Sequence, residues 1–329
     1  MPVEKPLEII NSRERVAEAV GATLPELLKV VNNWRSYHRV YNLIDPSLPT
    51  KARTVVSPLQ PLRRYQRCLL DNYLVPLLVR SKQSHGGVPG RNTLSNALVH
   101  IESAFVLTAD ISNFFPSIHF SRVQKLFEKA GHRLEVAILL TKICTYEHRL
   151  SQGLITSPLL ADASLRTVDE RIAGMCLKAG LKYSRFIDDI TLSGPFNFDC
   201  GGIQASVEKI LRDAGFQANQ SKWKSRNLSL GSTVTGLRVK RGSVGIPSEY
   251  YNRVLCILLE MERVSTGGEL SGHYFHKCQL AGKISYIRQI SPRMARPLVK
   301  VFNRIDWAKV HSNAITIGLV QRKKRLVPT

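Results

Sequence analysis

Residues 182–194 read KYSRFIDDITLSG, with two adjacent aspartates, Asp188 and Asp189, set among apolar residues that otherwise spell a buried strand. Two carboxylates are costly to bury unpaired, so the pair calls for a cation or an open cleft. The pattern predicts strand, turn, strand, with the acids at the turn. A DD dipeptide alone is common in exposed loops. The sequence around this one gives it weight.

Upstream, residues 105–110 (FVLTAD) form a short apolar run that ends in Asp110, placing that acid at the tip of a predicted strand. The helix that follows is read from a Ser121/Gln124 capping box, an apolar stripe of Val123, Leu126, Phe127 and Ala130, and a stop at Gly131. Another helix begins after SQGLITSP (151–158), with Pro158 in its first turn and Ala161, Leu165, Val168 and Ile172 on one face. A third carries Ile203, Val207, Ile210, Leu211 and Ala214 and stops at Gly215, after which residues 233–247 predict a hairpin. Strands interleaved with helices in this order predict an α+β sheet covered by helices on one side. Asp110 could then join the pair to form a site for two magnesium ions about 3.5–4 Å apart.

Further out, residues 13–31 predict two short helices broken at Gly21, the second with a Thr23/Glu26 capping box and Pro25 in its first turn. Residues 51–79 predict a strand running into a helix. The glycine-rich HGGVPGR (85–91) lacks the GxxxxGK[ST] pattern of a phosphate-binding loop. From Ser248 onward the pattern is helical, with Val254, Leu255, Leu258 and Met261 facing inward and Arg293, Arg296, Lys300 and Arg304 on a later segment. Residues 321–325 (QRKKR) form a basic tail.

The 329 residues hold 47 Lys and Arg against 25 Asp and Glu, a net charge of +22, which implies a polyanionic partner. No run approaches the roughly 18 apolar residues of a membrane span and no signal-peptide pattern opens the chain, so a cytoplasmic protein without a membrane partner is expected. Cys68, Cys144, Cys176, Cys200, Cys256 and Cys278 are scattered with no CxxC pair, and are read as reduced, mostly buried thiols. His273, His276 and Cys278 come nearest to metal-ligand spacing, but no fourth ligand lies close in sequence.

The ordered set HGGVPGR, SNALVH, ADISNFFPSI, SQGLITSPLLADASLRTVDERI, YSRFIDDITLSG, NQSK and VTGLRV resembles the reverse transcriptases of bacterial retrons, over roughly residues 50–310. Asn96, Ala97 and His100 match that family's NAxxH element, and Val234, Thr235 and Gly236 its VTG element. The resemblance implies an α+β right-hand polymerase, with fingers, a palm built on an antiparallel sheet and a helical thumb. The expected spans are a helical N-terminal extension (1–50), fingers (51–104), a palm with finger insertions (105–240), and the thumb with its basic tail (241–329).

Carried over residue by residue, the resemblance makes Asp110 and Asp188 the principal metal ligands and Asp189 the third catalytic acid, with the carbonyl of Ile111 helping to hold a metal. Phe115 takes the place of the side chain that stacks beneath the incoming sugar and excludes a 2′-hydroxyl, so the product is expected to be DNA. Gln152 and Gly153 line the template and nucleotide pocket; Lys51, Arg53 and Arg91 grip the triphosphate; Lys222 neutralises or protonates departing pyrophosphate. Two magnesium ions and deoxynucleoside triphosphates are implied, with a structured non-coding RNA as template and primer, an RNA–DNA hybrid as product and an effector protein as partner. One departure stands out: the family's Tyr-Ala before the two aspartates is Phe186-Ile187 here. Two other readings stay open at this point: a defence-associated or group II intron-like reverse transcriptase, and a catalytically silent RNA-binding scaffold.

Overall fold

The computed structural model describes residues 8–45, 48–195, 198–270 and 274–317, and the backbone alone for residues 44, 45 and 48–52. The chain divides into two units, Met1–Leu230 and Gly231–Thr329.

The first unit opens with α1 (Arg13–Ala19) and α2 (Leu24–Asn32), the latter carrying the expected Thr23/Glu26 capping box. A two-stranded antiparallel ribbon follows, β1 (His38–Asp45) and β2 (Leu48–Pro58), which displays Val40, Tyr41 and Leu43 to solvent. Then come α3 (Leu62–Leu69), one wider turn, the short α4 (Val75–Leu77) and α5 (Thr93–Leu98).

The central sheet has the order β4-β5-β3-β6, all antiparallel, from β3 (Phe105–Asp110), β4 (Lys182–Phe186), β5 (Asp189–Gly194) and β6 (Lys224–Asn227). Between β3 and β4 run α6 (Phe114–Ser117), α7 (Phe120–Lys129), α8 (Leu134–Cys144) and α9 (Ser157–Lys178), and α10 (Cys200–Asp213) follows β5.

Cross-strand partners share a face of a sheet. Leu107 opposes Leu192, Ala109 opposes Ile190, and Tyr183 opposes Leu192; all five side chains enter one apolar core with residues of α7 to α10. The alternate set therefore occupies the other face, and it includes the opposed pair Asp110 and Asp189. One face of the sheet is buried under α7 to α10; the other carries the acids at its end, while Val106, Ser184, Thr191 and Ser193 on that same face are buried.

Helix α7 starts one residue before the expected box. Its N-cap, His119, makes no side-chain capping bond, and Gln124 donates instead to Glu128 Oε1 at 2.7 Å along the helix surface. With Ser121 already inside the helix, it cannot cap it.

The second unit holds a three-stranded antiparallel sheet, β7 (Ser232–Val234), β8 (Leu237–Lys240) and β9 (Ser243–Gly245), one strand more than the predicted hairpin. Its helices are α11 (Ser248–Ser265), α12 (Lys277–Ile290), α13 (Pro292–Arg304) and α14 (Trp307–Thr316). Val254, Leu258 and Met261 are buried and Leu255 is half-buried. Arg293, Arg296 and Lys300 are exposed on α13, whereas Arg304 pairs with Glu262 at 2.6 Å. Among the described residues no helix is long and apolar enough to cross a membrane. All six cysteines are free, but only Cys144 and Cys176 are buried, fewer than expected, since Cys256 and Cys278 lie on exposed helix faces. The basic tail and His273 lie outside the described residues.

Candidate active site

The β-period, the turn and the strand register together determine where the three acids meet. Asp110 ends β3, Asp189 begins β5 directly opposite it, and Asp188 occupies the two-residue turn between β4 and β5. The Ile111 N–H donates to the Asp188 carbonyl at 3.0 Å, and the Asn219 N–H donates to the Asp110 carbonyl at 2.7 Å. One carboxylate oxygen from each of Asp110, Asp188 and Asp189 lies within 4.8 Å of the others, and no other such group of three metal-ligating side chains occurs among the described residues.

This arrangement concentrates negative charge. Burial, and after it the Asp110 carboxylate, raises Asp188 above its ordinary pKa; burial, then Asp188 and Asp110, pushes Asp189 up to about 6. Lys222, on the single helical turn Gln220–Lys222, offsets part of it by donating from Nζ to Asp110 Oδ1 at 2.6 Å. Three hard oxygen donors converging under mutual repulsion fit a small divalent cation. Arg53 on β2 is close enough for its charge to favour the ionised forms of Asp188 and Asp189.

Phe115 sits in α6, half-buried five residues after Asp110, with its ring 5.3 Å from that of the buried Phe114. The Gln152 carbonyl accepts from the Val56 N–H at 2.8 Å, tying this loop to β2. Gly153 has φ +102°, and a Cβ there would lie 2.6 Å from Val55 Cγ1 and 2.7 Å from the Val56 carbonyl oxygen, so only glycine allows this approach. Arg91 donates from Nη1 to the carbonyls of Lys82 and Ser84, both at 2.6 Å, bracing its own loop. The side chain of Lys51 lies outside the described residues.

His100 is fully buried, its ring nitrogens 2.7 Å from Ser193 Oγ on β5 and 2.7 Å from Ser184 Oγ on β4. Asn96 and Ala97 of the same motif are buried on α5, which packs against β4. Val234 ends β7, and Thr235 and Gly236, at φ +46° and +78°, form the tight turn into β8.

Sequence reasoning passed over three charged residues. Arg185, Asp162 and Asp169 are no more than 2% exposed. Arg185 Nη2 reaches Asp162 Oδ1 at 2.6 Å and Asp169 Oδ2 at 2.7 Å, Nε reaches Asp169 Oδ1 at 2.9 Å, and Nη1 reaches the Ile187 carbonyl at 2.7 Å. Burial opposes the charge on Arg185, but Asp169, Tyr183 and Asp162 outweigh it and hold the guanidinium above its ordinary pKa. The signal was present: Asp162 and Asp169, seven apart, fall within the apolar stripe of α9, where an acid needs a buried partner. A cavity of about 460 Å³ lies elsewhere, lined by Trp34, Phe120, Lys142 and His148 among others and by none of the three acids.

Residues 43–239 match the family described as reverse transcriptase (RNA-dependent DNA polymerase). The Retron Mx65 reverse transcriptase of Myxococcus xanthus is 29% identical over 315 residues, covering 89% of this chain and 72% of its own. The Retron Ec86 reverse transcriptase of Escherichia coli is 27% identical over 300 residues, covering 91% of each chain. Among solved structures, the foamy viral protease-reverse transcriptase in complex with double-stranded DNA aligns with 91% of this chain and 44% of that one, at 17% identity and a TM-score of 0.47. With the family match spanning more than half of the chain, the protein belongs to the reverse transcriptase (RNA-dependent DNA polymerase) family, and the relatives it is similar to are bacterial retron reverse transcriptases.

Proposed function

We propose that the protein copies part of a structured non-coding RNA into single-stranded DNA, with Asp110, Asp188 and Asp189 as the catalytic acids. The observation that carries this reading is the convergence of the three carboxylates where the end of β3 meets the β4–β5 turn. In this reading residues 51–104 act as fingers, 105–240 as palm and 241–329 as thumb, with 1–50 a helical extension.

Asp110 and Asp188 would hold two magnesium ions, with Asp189 and the Ile111 carbonyl completing the set. When bound, such ions supply Lewis acidity to the attacking hydroxyl and to the leaving phosphate oxygen. The reaction joins the primer hydroxyl oxygen to the α-phosphorus of a deoxynucleoside triphosphate, breaks the bond to pyrophosphate and releases the hydroxyl proton. Lys222, already a charged donor beside Asp110, neutralises or protonates the departing pyrophosphate. Arg53, Arg91 and Lys51 supply positive charge toward the triphosphate, and Gln152 and Gly153 shape the template side. Phe115 stacks beneath the sugar and excludes a 2′-hydroxyl. By kinship with the retron enzymes, the first primer is a 2′-hydroxyl of the same RNA, the product is a branched RNA–DNA hybrid that stays bound, and an effector protein completes an antiphage system in the cytoplasm.

The test uses protein purified with the RNA encoded beside its gene, supplied with magnesium and deoxynucleotides. RNase-resistant DNA of one discrete length, joined to RNA, is expected. If Asp188→Asn combined with Asp189→Asn leaves the DNA yield unchanged, the acids are not the catalytic groups. A product of many templates would favour a different class of bacterial reverse transcriptase.

A further inference from the structure

The turn that carries Asp188 is held in a conformation its own sequence disfavours. Phe186 pairs with Asp189, so Ile187 and Asp188 are the two central residues of a tight hairpin. Ile187 has φ +59°, in the left-handed region that disfavours every residue but glycine and suits β-branched ones least. Positive φ at the first central position alone is the place where hairpin turns ordinarily carry glycine. Some other contact must hold this backbone.

We propose that Arg185 is the positioning residue of the active site: through the Ile187 carbonyl it fixes the turn so that Asp188 and Asp189 come round to Asp110. This inference rests on reading the three acids as the polymerase site. Arg185 itself lies opposite Ile190, on the helix-covered face of the sheet, and therefore acts from behind the acids without touching substrate.

Its guanidinium is aimed by α9. Asp169 accepts from both Nε and Nη2, and Asp162 accepts from Nη2, which leaves Nη1 directed at the Ile187 carbonyl 2.7 Å away. The two acids are fixed in turn, Asp169 by the Tyr183 hydroxyl at 2.6 Å and Asp162 by the Ser81 N–H at 3.2 Å. A buried ion group of this kind contributes little to stability beyond what a well-packed apolar group would, so what it supplies here is geometry. The HGGVPGR loop closes the turn from another side. The His85 N–H donates to the Arg185 carbonyl at 2.8 Å, and a Cβ on Gly86 would lie 2.5 Å from Ile187 Cγ1 and 2.6 Å from the Ile187 nitrogen.

Arg185→Lys tests the proposal, because it keeps the buried charge but cannot make the same four directed bonds. On a primed RNA template kcat is expected to fall about 10–100-fold, with the magnesium concentration for half-maximal activity raised. Adding Ile187→Gly to that variant is expected to recover at least about 5-fold of the loss, since glycine adopts φ +59° without the steric cost. A purely structural arginine would give no such rescue. Manganese binding, followed by electron paramagnetic resonance, reads the cradle without turnover: Arg185→Lys is expected to weaken it about 10-fold. An unchanged kcat and an unchanged manganese affinity in Arg185→Lys, or no recovery in the double variant, would overturn the positioning role. Wild-type protein that binds manganese yet makes no DNA would overturn the polymerase reading while the manganese comparison still decides the role of Arg185. Wild-type protein that binds no manganese would overturn both.

Discussion

Asp110 is held by Lys222, whereas Asp188 and Asp189 make no ion pair among the described residues, so the three acids should respond differently to neutralisation. Asp188→Asn and Asp189→Asn each remove a like charge from a crowded cluster. Thermal melts of the metal-free protein are expected to show midpoints unchanged or raised by a few degrees, while DNA synthesis falls by at least about 10²–10³-fold. Asp110→Asn also strands the Lys222 ammonium and is expected to melt lower than the other two. Phe115 offers a separate readout. Its ring is half-buried against Phe114 at the edge of the core, so truncation to alanine opens space at the site. Competition between deoxy- and ribonucleotides is expected to shift toward ribonucleotides by about 10–200-fold in Phe115→Ala. The acids were legible in the sequence because a charge in an apolar strand contradicts its surroundings. Arg185 was not, although it sits in the same quoted stretch, because its partners come from a helix more than a dozen residues upstream and strand alternation alone does not reveal them.

At the level of elements, the tie made by His100 carries a dependence on pH. Burial first, then Lys182 and His85, lowers its pKa to about 3, so in the folded protein the imidazole stays neutral between two serine hydroxyls. The unfolded chain takes up that proton near pH 6.5. Between those values the unfolded state binds more protons, so acidification favours unfolding, by up to about 1.4 kcal/mol per pH unit from this group. Urea denaturation at pH 7 and pH 5 is expected to show that loss in the native protein and a smaller one in His100→Gln. The same element shows what sequence reading does well. Strands β3 to β5 and helices α9 to α11 follow from apolar periodicity and from Pro and Gly signals. Helix α7 was found with the wrong start, since a serine and a glutamine three apart suggested a cap that the chain does not use. Helix α8, apolar nearly all round, gives no amphipathic rhythm to read, and β6, with three exposed residues and no apolar alternation, is a strand only because β3 lies beside it.

At the scale of the molecule, a net charge of +22 makes salt the natural lever on nucleic-acid affinity. If six to ten phosphates are neutralised, raising salt from about 50 to 200 mM should weaken RNA binding by about 10³–10⁵-fold, measurable by filter binding. Arg293, Arg296 and Lys300 are exposed on α13, and reversing all three to glutamate is expected to flatten that salt dependence while leaving kcat at saturating template near the native value. The polyanion partner and the family could be read from composition and motif order. The break between compact units after Leu230 could not, because it follows where contacts thin out rather than any run of glycine or proline. The β1–β2 ribbon has a consequence for handling the protein. Among the described residues no third strand joins the two, so the β1 edge stays open, and Val40, Tyr41 and Leu43 stand bare beside it at 47%, 42% and 56% exposure. Such a flap invites copies to zip together and gives thermolysin its first bite.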